Sequence, residues 1–163
     1  MSRPEAPARN AAHEMFDADA ASNRLGIELL AAGEGRATAR MLVTADMVNG
    51  HAIAHGGFVF LLADTAFACA CNSHGPVTVA AGADITFVAP ARAGDLLTAV
   101  AEERTRFGRN GIYDVTVYRR PPGESSDAAR PADGADTYGE LVAEFRGRSR
   151  TISRKPAPPE EER

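Results

Sequence analysis

Over residues 36–45 the side chains alternate, with Ala37, Ala39, Met41, Val43 and Ala45 on one side and Arg36, Thr38, Arg40, Leu42 and Thr44 on the other. A period of two predicts a strand with one buried face. The Ala-Ala-Gly-Glu-Gly stretch at 31–35 supplies a turn before it, making 25–47 a hairpin. Residues 58–72 follow a different rule, being apolar except at Asp64, Thr65 and Asn72. Such a run is too long for an ordinary strand and rich in Ala and Leu. Gly75-Pro76 ends it as a helix C-terminus would end. A helix apolar on all sides belongs in an interior, and at about 1.5 Å per residue it spans roughly 22 Å.

Three further strands are predicted. Val77, Val79, Ala81, Ala83, Ile85 and Phe87 alternate toward one face before Ala89-Pro90, and residues 96–104 follow the Ala93-Gly94-Asp95 turn. Gly108-Arg109-Asn110-Gly111 then introduces 112–119, where Tyr113, Val115 and Val117 share a face. A last strand over 140–152 sets Leu141, Ala143 and Phe145 against Arg146, Arg148 and Arg150. Strands meandering through short turns imply an α+β fold, a mainly antiparallel sheet wrapped around the one buried helix. Residues 11–22 have helix-forming composition, with Met15 and Phe16 as anchors. One domain over 11–152 is expected, flanked by disordered ends at 1–10 and 153–163. Residues 121–139 hold three Pro and three Gly but no Val, Ile, Leu, Met or Phe, so a flexible insertion is expected there.

The chain has 163 residues, 44% hydrophobic and 25% charged, which suits one core of ordinary size. With 18 Lys+Arg against 22 Asp+Glu the net charge is −4, so no overall positive field draws in nucleic acid. Cys69 and Cys71 lie too close together, and are too few, for a disulfide framework or a zinc site, and read as reduced core thiols. Residues 1–16 carry Arg3, Glu5, Arg9 and Glu14 without an apolar stretch, and no run of about 18 apolar residues occurs. A soluble, cytoplasmic protein that does not engage membranes is expected.

Asp64 stands in the middle of the apolar helix, where an ionised carboxylate without a partner costs several kcal/mol. It either faces an interface or a wet groove, or it performs chemistry. His55-Gly56-Gly57 at the helix start offers unpaired N–H groups and the positive end of the helix dipole. Such donors can form an oxyanion hole; the alternative is that the glycines only permit tight packing. Asn49 and His55 either position a substrate or stabilise the turn. Gly56 and Asp64 are eight residues apart, so on one helix they stand about 12 Å apart along the axis. If both act on one carbonyl, they come from different copies of the chain, and the site spans a homodimer interface.

The ordered segments Asn49-Gly50-His51, His55-Gly56-Gly57, 62–68 (Leu-Ala-Asp-Thr-Ala-Phe-Ala), Ala70-Cys71-Asn72, Ile85-Thr86-Phe87 with Pro90, Gly94-Asp95, 108–115 and 145–149 resemble the PaaI branch of the hotdog-fold acyl-CoA thioesterases. The likeness runs from about residue 15 to 152. It implies the hotdog fold, homodimers often paired as homotetramers, and hydrolysis of aryl or other acyl-CoA thioesters, with phenylacetyl and hydroxyphenylacetyl esters typical of this branch. It further implies Asp64 as the catalytic carboxylate, Gly56 as the oxyanion donor, and Asn49 and His55 as positioning groups. Gly57 and Thr65 are expected beside the substrate. The family pattern requires no metal or redox cofactor, and coenzyme A enters as part of the substrate. Its phosphates need local cations, for which Arg106 and Arg109 are the candidates. The competing reading is a hotdog protein that binds acyl-CoA without turnover. The 121–139 insertion departs from the compact family pattern.

Overall fold

The protein, seen in a computed structural model, is described over residues 8–124 and 138–152. Of the expected flexible segments, 1–10, 121–139 and 153–163, residues 1–7, 125–137 and 153–163 lie outside the described residues. Six strands, β1 (Glu28–Gly33), β2 (Arg36–Leu42), β3 (Thr78–Phe87), β4 (Leu96–Phe107), β5 (Asn110–Arg120) and β6 (Glu140–Thr151), form one antiparallel sheet in the order β1-β2-β4-β5-β6-β3. Helices α1 (Ala11–Asp17) and α2 (Ala20–Arg24) precede the sheet, and the long helix α3 (Gly56–Asn72) packs against all six strands. This is the hotdog arrangement.

Local chemistry sets the elements. The β1–β2 turn places Glu34 and Gly35 at φ 52° and 76°, the two-residue geometry that matches strand twist. On β2 the alternation holds through Ala37, Ala39 and Met41, all buried, and on through Val43, but Ala45 is exposed because a short 3-10 turn (Ala45–Met47) begins there. The expected single helix over 11–22 is two. Asp19 interrupts it by accepting the Ser22 N–H at 3.0 Å, which makes it the N-cap of α2.

The sheet is not the simple meander that short turns suggested. β3 crosses to the far edge and pairs with β6, Thr78 opposite Thr151. A bulge between Ala80 and Gly82 shifts its register, and only Ala83 and Ile85 of the predicted apolar face pack on the core. Val77, Val79 and Phe87 remain exposed.

Small residues let helix and sheet approach closely. Ala63, Ala66 and Ala70 of α3 and Ala39, Ala99 and Ala101 of the sheet are almost completely buried. Phe67 fills the remaining depth against Tyr113 and Phe145, with ring centroids 5.5 and 5.8 Å away. Gly147 admits that ring, since a Cβ there would lie 2.7 Å from Phe67 Cε2. At the far end of α3 the buried Asn72 side chain accepts the Thr78 N–H at 3.0 Å and donates to the Thr78 carbonyl at 2.8 Å. The helix end is thereby tied to the start of β3.

Candidate active site

The loop entering α3 is held by its own backbone. Val48 and Ala54 form a bridge, Asn49 N–H donates to the Ile53 carbonyl at 2.8 Å, and His55 N–H donates to the Met47 carbonyl at 2.7 Å. Asn49 Oδ1 accepts the His51 N–H at 2.9 Å, so this side chain shapes the loop. Ala52 takes the left-handed conformation, φ 59°, inside the turn.

α3 begins at Gly56, two residues before the predicted start. His55 is its N-cap, and its Nδ1 accepts the Gly57 N–H at 3.0 Å. The Phe58 N–H is taken by the His55 carbonyl at 3.0 Å. The Gly56 N–H has no acceptor among the described residues. Of the first amides of the helix, the one aligned with the dipole and open to a ligand is therefore that of Gly56. Beside it lies the ring of Phe87, whose Cζ would be 2.8 Å from a Cβ on residue 56.

Gly57, Phe60, Leu61, Asp64 and Ala68 form the less buried stripe of α3, following the helical period. Asp64 is half-buried there, and its carboxylate has no hydrogen-bond donor among the described residues. Burial, and secondarily the negative charge of Asp19, hold its carboxyl above the usual carboxylate range. Cys69 and Cys71 are no rivals as nucleophiles, because burial pushes both thiols up to about 12.

Thr65 adjoins Asp64 but turns inward. Its hydroxyl is 2.8 Å from Ser22 Oγ and 2.9 Å from the Leu61 carbonyl, and Ser22 donates to Asp19 at 2.6 Å. Arg106 and Arg109 are not beside Gly56. They line a cavity of about 170 Å³ at the other end of α3, with Cys71, His74, Thr78 and Tyr113. Behind Arg106, Glu103 accepts the Tyr113 hydroxyl at 2.6 Å and lies 2.6 Å from His74 Nε2 and 3.4 Å from Arg106 Nε. Burial opposes ionisation of Glu103, yet these hydrogen bonds and nearby positive charges outweigh it and hold its carboxyl below the usual range. His74 reads as a plain surface residue in the sequence; its pairing with Glu103 joins positions 29 apart, which no local pattern reveals.

Within one protomer, then, Gly56 and His55 come together at the start of α3, Asp64 stands about 12 Å along it, and the two arginines lie beyond its far end. Residues 51–126 match the family model of the thioesterase superfamily. Over 106 residues the chain is 48% identical to the acyl-coenzyme A thioesterase PaaI of Escherichia coli, covering 65% of this chain and 76% of that protein. This chain belongs to the thioesterase superfamily. The structure of the Escherichia coli PaaI protein from the phenylacetic acid degradation operon superposes with a TM-score of 0.75 and 40% identity, covering 88% of this chain and 91% of that one. A mutant of the phenylacetic acid degradation protein PaaI from Thermus thermophilus gives 0.67 at 32% identity, covering 80% of this chain and 97% of that one.

Proposed function

We propose that the chain hydrolyses acyl-CoA thioesters, aryl esters of the phenylacetyl or hydroxyphenylacetyl type foremost, at sites shared between two copies in a homodimer. The observation that carries this is the pair of groups on α3 that find no partner among the described residues, the Gly56 N–H and the Asp64 carboxylate, too far apart to grip one carbonyl from a single helix. A two-fold arrangement that sets Gly56 against the partner's Asp64 brings donor and carboxylate to one substrate twice. The free edge of β3, a ten-residue strand with exposed Val79 and Phe87, supports such pairing through a joined sheet. Further pairing into homotetramers fits the resemblance.

In the reaction, the Gly56 N–H donates to the thioester carbonyl oxygen and stabilises the negative charge that grows there. The Asp64 carboxylate either attacks the carbonyl carbon, giving an anhydride that water then opens, or takes a proton from a water that attacks directly. On either route the carbon–sulfur bond breaks, coenzyme A leaves as thiolate, and the acyl group ends as a carboxylic acid. His55 fixes the helix start, Asn49 fixes the loop, and Gly57 leaves room for the substrate. Thr65 contributes by anchoring α3 to α2. Arg106 and Arg109 take the coenzyme A phosphates; the Arg109 guanidinium has no ion-pair partner among the described residues. A cytoplasmic setting suits the free thiols Cys69 and Cys71.

The test is co-expression of Asp64→Asn with Gly56→Pro. Proline suits the first turn of a helix but has no N–H to give, and the half-exposed Phe87 ring must shift to admit its Cβ. Each variant alone should release coenzyme A at least about a hundredfold more slowly than wild type, and the mixed dimer should regain one working site. Verified mixed dimers without recovered activity would refute a shared site, undiminished release by Asp64→Asn would remove Asp64 from the mechanism, and tight acyl-CoA binding without release from any thioester would leave binding as the activity.

A further inference from the structure

We infer that Phe87, at the end of β3, is a wall of the acyl subsite and sets the preference of the enzyme for aromatic over straight-chain acyl groups. The inference rests on the thioesterase reading and adds to it the residue that chooses among esters. Three observations carry it. A Cβ built on Gly56 would meet Phe87 Cζ at 2.8 Å and Cε2 and Cε1 at 3.3 and 3.4 Å, so the tip of the ring is aimed at the first residue of α3. Phe87 is 53% exposed, so much of its surface is not consumed by the core. Phe58 is half-buried on the same helix turn, its ring 6.4 Å from that of His55 at an interplanar angle of 87°.

Residue 56 is not a glycine for the sake of its backbone, since its φ lies outside the left-handed region. What the absent side chain provides is room for Phe87. The consequence is geometric. A carbonyl oxygen held by the Gly56 N–H brings its acyl substituent within van der Waals reach of an aromatic ring that its own protomer leaves half uncovered. A flat ring one methylene beyond the carbonyl can meet Phe87 edge-on or offset-stacked, whereas a flexible alkyl chain gains only area.

The experiment compares kcat/KM for phenylacetyl-CoA and hexanoyl-CoA in wild type, Phe87→Leu and Phe87→Tyr. Leucine keeps an apolar side chain over Gly56 but removes the ring, and tyrosine keeps the ring. The aryl-to-alkyl ratio should fall about tenfold in Phe87→Leu and stay within about twofold of wild type in Phe87→Tyr, with the larger part of the loss in KM for the aryl ester. An unchanged ratio in Phe87→Leu, or an equal loss on both esters, overturns the assignment while leaving hydrolysis intact. A wild-type protein that releases coenzyme A from neither ester overturns the thioesterase reading and this inference together.

Discussion

His55 Nδ1 accepts the N–H of Gly57 at 3.0 Å, and by capping that amide it leaves the preceding one, Gly56, as the open donor at the start of α3. His55→Ala should lose about 1 kcal/mol of stability, the ordinary cost of a missing N-cap, and should slow turnover as the helix start loosens. His55→Asn, which can still cap, should recover most of both. Urea denaturation and steady-state coenzyme A release measure the two effects separately, and stability lost without any effect on turnover would confine His55 to folding.

The elevated Asp64 pKa gives a directional pH dependence. On the proposed mechanism the ionised carboxylate is the reactive form, so activity should fall as pH drops through a midpoint above the usual carboxylate range. The negative charge of Asp19 contributes to that elevation, and Asp19→Asn should therefore move the acid limb of kcat/KM to lower pH. A limb that stays in place would mean that Asp19 acts only as the cap of α2.

The same displacement bears on stability. A carboxyl whose folded-state pKa lies above its unfolded value is penalised in the fold when ionised. The penalty is present at pH above the folded pKa and fades as pH falls through it. Asp64→Asn should thus resist urea better than wild type at about pH 7, with the difference closing toward acid pH, even as it loses activity. Paired denaturation curves at the two pH values check the sign.

Arg109 offers a charge test. Arg109→Ala should raise KM for acyl-CoA about three- to tenfold with little change in kcat. The KM for the matching acyl-pantetheine ester, which has no phosphate, should not move. Equal rises for both substrates would place Arg109 away from the phosphates.

Core packing predicts a separate effect. Phe67→Ala should cost about 3–5 kcal/mol, and Gly147→Ala about 1–3 kcal/mol because its methyl would overlap the Phe67 ring. Both are read from urea midpoints.

Much of this architecture is legible in the chain because it depends on local period. The buried face Ala37, Ala39 and Met41, the Tyr113, Val115 and Val117 face, and the apolar run containing Asp64 each follow from spacing alone. What spacing misses is set by long-range pairing. β3 joins β6 through Thr78 and Thr151, 73 positions apart, and this leaves four of the six residues of its apparent apolar face, Val77, Val79, Ala81 and Phe87, exposed. The split of the first helix hangs on one side chain, Asp19, bonding to Ser22. Phe87 is a strand residue like any other until the fold lays it on Gly56. Arg106 and Arg109 are identifiable as cations, but their distance from the helix start follows only from the length of α3.

One strand touches α3 at both extremities: Thr78 at its beginning clasps Asn72, and Phe87 at its finish rests on Gly56. β3 thus serves as a ruler that fixes the length and rotation of the helix together. An extra residue inserted after Gly56 and before Asp64 would turn the carboxylate about 100° around the axis. Both end contacts could then survive only by distorting the helix between them, so the residue count of α3 is as constrained as the side chains it carries.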